Sequence, residues 1–343
     1  MKKFLVISTA AAALAMAAIA SGASAQSWAD NTSVSGRIYA DFTNLTTKTD
    51  GTQSGAANGT GFDVTRFYIG VDHKFNDIWS MNFTSDMSYN SGTSNVEVFA
   101  KKAYFQGTFN SALTVRVGAA DMPWIPYVED LYGYRYFEKT MIDRKSYGNS
   151  ADWGIHALGK LGSNVSYAVS AVNGGGYKNP TRSKGLDVEG RVSAKVGQWN
   201  FGLGGYTGKL GKEVYGTTTY HDAERIDAVV AFTGDRLRVG VEGFSANDYT
   251  QVLSPDSDKA NGTSLFASYR VTPIYTVFGR VEQVNPSETL AKDKKDEYYN
   301  LGISYAAFKG VDFSLALKHD ENSTGGGHKT VSDEIGIWSQ LRY

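Results

Sequence analysis

The sequence predicts an all-β chain closed into a transmembrane antiparallel barrel of about sixteen strands, on three observations. Apolar and polar residues alternate with period two from Val34 to the C-terminus. Full charges sit on the polar face of most strands, where a small soluble barrel or sandwich could not bury them but a wide, water-filled lumen can hold them. Short turns and long polar connections follow one another in strict alternation, the pattern of a barrel with turns at one rim and loops at the other.

Composition narrows the function classes. The 343 residues carry 34 Lys+Arg against 35 Asp+Glu, so no basic field is available for nucleic acid. With no Cys, disulfides, thiolate zinc sites and Cys nucleophiles are excluded. The 38 Gly and 21 Tyr suit a β protein that is wet on one face.

The elements follow in chain order. Lys2 and Lys3 precede an apolar stretch from Phe4 to Ala20, and Ala23-Ser24-Ala25 stands before Gln26, so residues 1–25 read as a cleavable signal peptide. The remaining 26–343 read as a single barrel domain. No later stretch reaches the roughly 20 apolar residues of a spanning helix. In the first strand Val34, Gly36, Ile38, Ala40 and Phe42 face one way and Arg37, Tyr39 and Asp41 the other. Trp79, Met81 and Phe83 alternate with Asn82, Thr84 and Asp86; Leu113, Val115 and Val117 with Thr114 and Arg116; and Val188, Val192 and Val196 with Glu189, Arg191 and Lys195. Leu237, Val239 and Val241 alternate with Arg236, Arg238 and Glu242. Tight turns fall at Asn76-Asp77, Asn110-Ser111, Gly162-Ser163-Asn164, Gly197-Gln198, Gly234-Asp235, Thr272-Pro273 and Lys309-Gly310. The long connections are Thr46–Gly61, Asn90–Asn95, Met122–Ser150, Asn173–Gly185, Gly211–Asp222, Ala246–Asn261, Asn285–Glu297 and Asp320–Thr330. Seven turns and eight loops join sixteen strands. Trp79, Tyr89, Phe109, Trp153, Trp199, Tyr275, Tyr299, Tyr305 and Tyr343 stand near strand ends, where amphipathic rings favour a bilayer interface.

The last strand, Ile335-Gly336-Ile337-Trp338-Ser339-Gln340-Leu341-Arg342-Tyr343, resembles the terminal strand of Gram-negative outer-membrane proteins. The run Gly118-Ala119-Ala120-Asp121-Met122-Pro123 through Arg144, followed by Asn149-Ser150-Ala151-Asp152-Trp153-Gly154-Ile155, resembles the porin superfamily. Within it, Arg135-Tyr136-Phe137-Glu138, Ile142-Asp143-Arg144 and Val165-Ser166-Tyr167 to Asn173-Gly174 look closest to the phosphate-selective porin O and P family. The resemblance implies a barrel in the outer membrane with short periplasmic turns and a third loop folded into the lumen. It further implies a homotrimer in contact with outer-membrane lipid and lipopolysaccharide, with no cofactor and no enzymatic activity. The function so implied is passive diffusion of small hydrophilic solutes and ions.

The longest connection, Met122–Ser150, would form the constriction with Glu129, Asp130, Arg135, Glu138, Lys139, Asp143 and Arg144. The facing wall would carry Arg37, Arg66, Arg116, Arg236, Arg238, Arg270 and Arg280, with Arg37, Arg66 and Arg116 nearest the loop. A surplus of wall cations predicts a mild anion preference, but balanced loop charges argue against a strong phosphate site. The alternatives are a phosphate- or other anion-selective porin and a plugged barrel acting as an adhesin or structural protein. The five His show no metal-ligand spacing, and Gly202-Leu203-Gly204-Gly205 is not a phosphate loop because no helix follows it.

Overall fold

The structure, a computed structural model, describes residues 28–55, 58–90 and 95–343; the segment read as a signal peptide lies outside them. Sixteen long strands form one antiparallel sheet. They are β1 (Thr32–Thr49), β2 (Gly59–Lys74), β3 (Trp79–Asn90), β4 (Asn95–Asn110), β5 (Leu113–Asp121), β6 (Ala151–Leu161), β7 (Val165–Val172) and β8 (Asp187–Val196). Then come β9 (Trp199–Gly208), β10 (Ala223–Thr233), β11 (Leu237–Asn247), β12 (Lys259–Arg270), β13 (Tyr275–Asn285), β14 (Lys295–Phe308), β15 (Val311–Gly325) and β16 (His328–Arg342). Each strand pairs with its neighbours in sequence, and β16 returns to β1 in register from Arg37 opposite Arg342 to Thr49 opposite Thr330. The sheet is a closed barrel with no free edge. No helix among the described residues is long and apolar enough to cross a membrane.

Period-two alternation becomes the two faces of the wall. Val188, Val192 and Val196 of β8 and Ile335, Ile337 and Leu341 of β16 are exposed on the outside, whereas Trp338 between them is buried inside. Eight of the nine predicted interface aromatics are exposed. Trp153 instead is partly buried and donates its indole N–H to the Tyr177 carbonyl. Tyr343 closes the seam: its backbone N–H and C=O both bond to Gly36, and a Cβ on Gly36 would collide with the Tyr343 ring.

All seven tight turns lie where alternation breaks. Two long connections are shorter than the sequence predicts. In the Thr46–Gly61 segment, β1 runs on to Thr49 and β2 begins at Gly59, and in Asp320–Thr330 the strands continue to Gly325 and from His328. Only Gly326 and Gly327, both at positive φ, form that second tip. Above the membrane both faces of a hairpin meet water, so the ladder continues after the hydrophobic alternation has stopped.

Five register irregularities occur among the described strands; three lie close to hairpin ends, and two bulges in the body of the wall shift the in–out pattern. Tyr39 and Ala40 oppose Arg66 and Val64, leaving Thr65 extra in β2. Thr84 and Ser85 oppose Lys102 and Ala100, leaving Lys101 extra in β4. An extra residue in one strand reverses the alternation beyond it.

Candidate pore constriction

The connection between β5 and β6 turns into the barrel and supplies most of its apolar core. It begins with Pro123 and Trp124, forms helix α1 (Ile125–Tyr132) with Pro126 in its first turn, and leaves that helix at Gly133, whose φ of 82° lets its N–H reach the Glu129 carbonyl. A looped segment and the single turn α2 (Met141–Arg144) follow, and the chain rejoins the wall where the Met122 N–H donates to the Ser150 carbonyl. Trp124, Ile125, Val128, Met141 and Ile142 are almost fully buried against Val229, Ala231, Phe244, Ala246 and Val284 of β10, β11 and β13. Tyr136 and Phe137 join Tyr39, Phe278, Ala316 and Trp338 in a second cluster.

Polar ties hold the loop to that wall. The Trp124 backbone N–H donates to Glu189 at 2.9 Å, and its indole N–H donates to Glu242 at 2.9 Å. Arg191 donates to the Pro123 carbonyl at 2.7 Å and covers the Tyr127 ring. Buried Arg225 donates to Glu189 (2.9 Å), to Asp227 (2.6 Å) and to the Tyr147 carbonyl of the loop. Room for these contacts comes from small residues on the inner face of β9. A Cβ on Gly202 would meet the Tyr127 ring at 2.8 Å, and one on Gly204 would meet the Trp124 ring at 2.6 Å.

Of the eight loop charges, Lys145 lies against Asp296, and the seven predicted for the constriction divide between two jobs. Glu138 pairs with Lys318 at 3.2 Å; burial works against its charge, but Lys318, Arg280 and the Lys139 amide hold its carboxyl down at about 2. Arg144 reaches Glu282 (2.6 Å), Asp296 (3.2 Å) and Asp320 (2.7 Å). These two fasten the loop. The others face the lumen: Arg135 lies 2.5 Å from Glu129 and 3.7 Å from Asp143, which Lys139 also approaches at 3.8 Å. Burial pushes the Glu129 carboxyl upward, against the pull of Arg135. Asp130 borders the inner side of this group.

Three lobes of the lumen meet at Arg135. On the loop side, one of about 750 Å³ is lined by Asp41, Asp63, Arg66 and Lys318, and another of about 910 Å³ by Arg66, Lys139, Tyr177, Lys178 and Lys212. On the turn side, a lobe of about 450 Å³ is lined by Arg37, Tyr68, Lys101, Lys102, Asp121 and Glu129. The gap between the loop's Arg135 group and the wall of β1–β4 is therefore the candidate aperture.

The wall arginines take several positions. Arg37 and Arg66 share these lobes with the loop, and Arg66 lies 3.5 Å from Asp86. Arg116 does not face the loop: it donates to Gln106 at 2.8 Å and covers Tyr104. It stands five residues before Asp121, about 17 Å down an extended strand, which puts it near the turn rim. Arg238 donates to the carbonyls of Asp130 and Leu131 at the end of α1 (3.0 and 3.1 Å). Arg280 is buried behind the loop, 2.8 Å from Glu282 and beneath the rings of Tyr132 and Tyr298, so it is not open wall. Arg236 lies in the turn after β10, and Arg270 ends β12; both are exposed at the turn-side rim.

Residues 10–325 match the model of the Gram-negative porin family. This chain belongs to the Gram-negative porin family. The match is at that level and does not single out the phosphate-selective O and P porins. The porin's fold is similar to solved structures. The anion-selective porin from Comamonas acidovorans is 13% identical with a TM-score of 0.66, over 91% of this chain and 99% of that one. The outer membrane channel DcaP of Acinetobacter baumannii is 11% identical with a TM-score of 0.69, over 91% and 97%. The trimer form of OmpT, an outer membrane protein of Vibrio cholerae, is 13% identical with a TM-score of 0.63, over 91% and 99%. At these identities the likeness carries the fold. No curated protein matches the sequence. As a porin, the barrel is an outer-membrane channel.

The candidate aperture also contains residues that sequence reasoning missed. Lys101 is buried, donates to the Tyr68 hydroxyl at 3.1 Å and lies over the Tyr68 and Tyr177 rings. Alternation alone selects Lys102 for the lumen, but the bulge admits both lysines. Lys178, in the loop after β7, lies over Phe99 at 4.3 Å and donates to Ser88. No periodic signal reaches a loop residue. The glycines of β9 and the inward loop are both legible in the sequence, but not that the Tyr127 and Trp124 rings of that loop seat on Gly202 and Gly204.

Proposed function

We propose that this porin passes small hydrophilic solutes and prefers anions, with Met122–Ser150 as the constriction and Lys101 as the main source of the preference. The observation that carries this reading is how the aperture cations are paired. The loop group Glu129, Arg135, Asp143 and Lys139 is internally balanced. Across from it, Arg37, Lys101 and Lys178 rest on tyrosine hydroxyls, a serine hydroxyl or aromatic rings, and none forms an ion pair with a described carboxylate. A cation seated on a ring keeps its field in the channel, whereas one paired with a carboxylate largely cancels. The likeness to a solved porin named as anion-selective agrees with this reading.

The test is the reversal potential of the refolded protein in a planar bilayer under a KCl gradient. An anion-favouring potential is expected. A cation-favouring one would shift control to the loop acids, and folded protein without conductance would leave the plugged adhesin or structural barrel. Phosphate selectivity is the finer reading, supported by the Arg135–Glu138 and Ile142–Arg144 resemblance. It requires that phosphate inhibit chloride current well beyond its share of the ions. The carboxylates beside Arg135 and Arg144 speak against it. We also read the assembly as a homotrimer set in outer-membrane lipid and lipopolysaccharide, which crosslinking in native membranes tests. N-terminal sequencing of the exported chain tests cleavage before Gln26.

A further inference from the structure

The turn-side rim of β11–β16 holds a second basic recess, separate from the aperture. Its volume is about 560 Å³, and Arg236, Arg238, Arg270 and Arg342 line it against Asp235 and Asp312. Sheet register builds the cluster: Arg238 stands opposite Ser268, Arg270 opposite Thr276, and the Arg270 N–H donates to the Arg236 carbonyl. Asp312 is already engaged by Arg342 and Gln340, each at 2.9 Å. Arg236 and Arg270 are exposed, and neither side chain has a hydrogen-bond or ion-pair partner among the described residues. Arg238 spends one guanidinium nitrogen on the end of α1 and keeps the others free.

The underside of the third loop roofs this recess. Gly133, Tyr134 and Tyr136 form the ceiling; Tyr134 stacks on Phe278 at 4.1 Å, and the Tyr136 hydroxyl lies 2.5 Å from Ser314. The recess is therefore closed above and open to the periplasmic mouth. Four arginines lining one recess, with Ser268 and Thr276 beside them, suit an oxyanion that carries several charges and several acceptor oxygens.

We propose that this recess is a periplasmic-side binding station for small polyvalent oxyanions, distinct from the aperture and loaded from the turn side. The current readout rests on the channel reading above; the binding readout does not. The chain has no Cys, so Thr250→Cys in an extracellular loop gives a unique label that fixes the orientation of each inserted barrel. Pyrophosphate added to the turn side is expected to reduce KCl current at lower concentration than from the loop side, where it must first cross the aperture. The double variant Arg236→Gln with Arg270→Gln removes two charge-assisted contacts at exposed positions. It should weaken the turn-side block by about tenfold or more and leave the open-channel KCl current in place. Arg236→Gln alone should give an intermediate loss.

Citrate separates the two ligand chemistries. Block by citrate and pyrophosphate alike supports a station for polyvalent anions in general; block by pyrophosphate alone supports one for phosphates. Equal block from both sides, or block unchanged in the double variant, overturns the station. Calorimetric titration of the folded, detergent-solubilised protein with pyrophosphate tests binding independently of current. Binding lost in the double variant supports the station even from a barrel that does not conduct, and absence of binding by the parent protein overturns it.

Discussion

The two walls of this barrel differ in how much of their positive charge is matched. Where the third loop lies against β8–β14, cations are matched: Arg225 lies between Glu189 and Asp227, and Arg144 reaches three carboxylates. On the open wall of β1–β4, Arg66 lies near Asp86 and Lys102 reaches Asp121, but Arg37 and Lys101 are held only by tyrosine hydroxyls and rings. The first wall uses charge to fasten a loop. The second leaves charge available to the lumen. A count of wall arginines therefore overstates the field of this channel, because a buried guanidinium with carboxylates on both sides contributes little beyond its own hydrogen bonds.

The largest way to break the contrast is Arg225→Ala. It leaves Glu189 and Asp227 buried without their cation and frees the Tyr147 carbonyl, a loss of about 3–5 kcal/mol. The temperature at which the barrel loses its compact gel mobility should fall, and single-channel current should become noisy as the loop moves. Next is Gly204→Val. Its side chain meets the Trp124 ring, which has no free direction to move, so overpacking of about 1–3 kcal/mol is expected in the same unfolding measurement.

Lys101→Gln tests the opposite wall. A unit charge at a separation of about 6 Å in water favours an anion by about 0.7 kcal/mol and disfavours a cation by the same amount, so before salt screening the anion-to-cation permeability ratio should fall by up to about tenfold. Stability should change little by comparison. An unchanged ratio would remove Lys101 as the source of the preference.

The smallest effect is in pH. Glu138 is held down at about 2 from an ordinary 4.5, so its tie to Lys318 contributes fully above 4.5 and is lost as pH falls through about 2. Hydrogen exchange over residues 134–140 should stay slow at pH 4 and quicken only near the lower value. Glu138→Gln should abolish that step.

Much of the barrel was legible because a strand between lipid and water must alternate. The tight turns, the sixteen strands and the inward direction of Arg37, Arg66 and Glu242 all follow from that one constraint. It fails in three kinds of place, each for its own reason. Hairpins above the membrane, as at Asp320–Thr330, are wet on both faces and show no alternation. At the bulges, Thr65 and Lys101 add a residue that no local propensity marks. In the loop, the division of Glu138 and Arg144 from Glu129 and Arg135 depends on partners more than a hundred residues away, such as Glu282 and Lys318.

By itself, then, the sequence determined the closed antiparallel wall and which strand faces meet lipid, because burial period is a property of each strand alone. Only the tertiary structure decided which charges fasten the loop and which remain open to solutes. Ion pairing depends on distances of a few ångströms between strands, and those distances arise only when the barrel has closed and the loop has packed inside it.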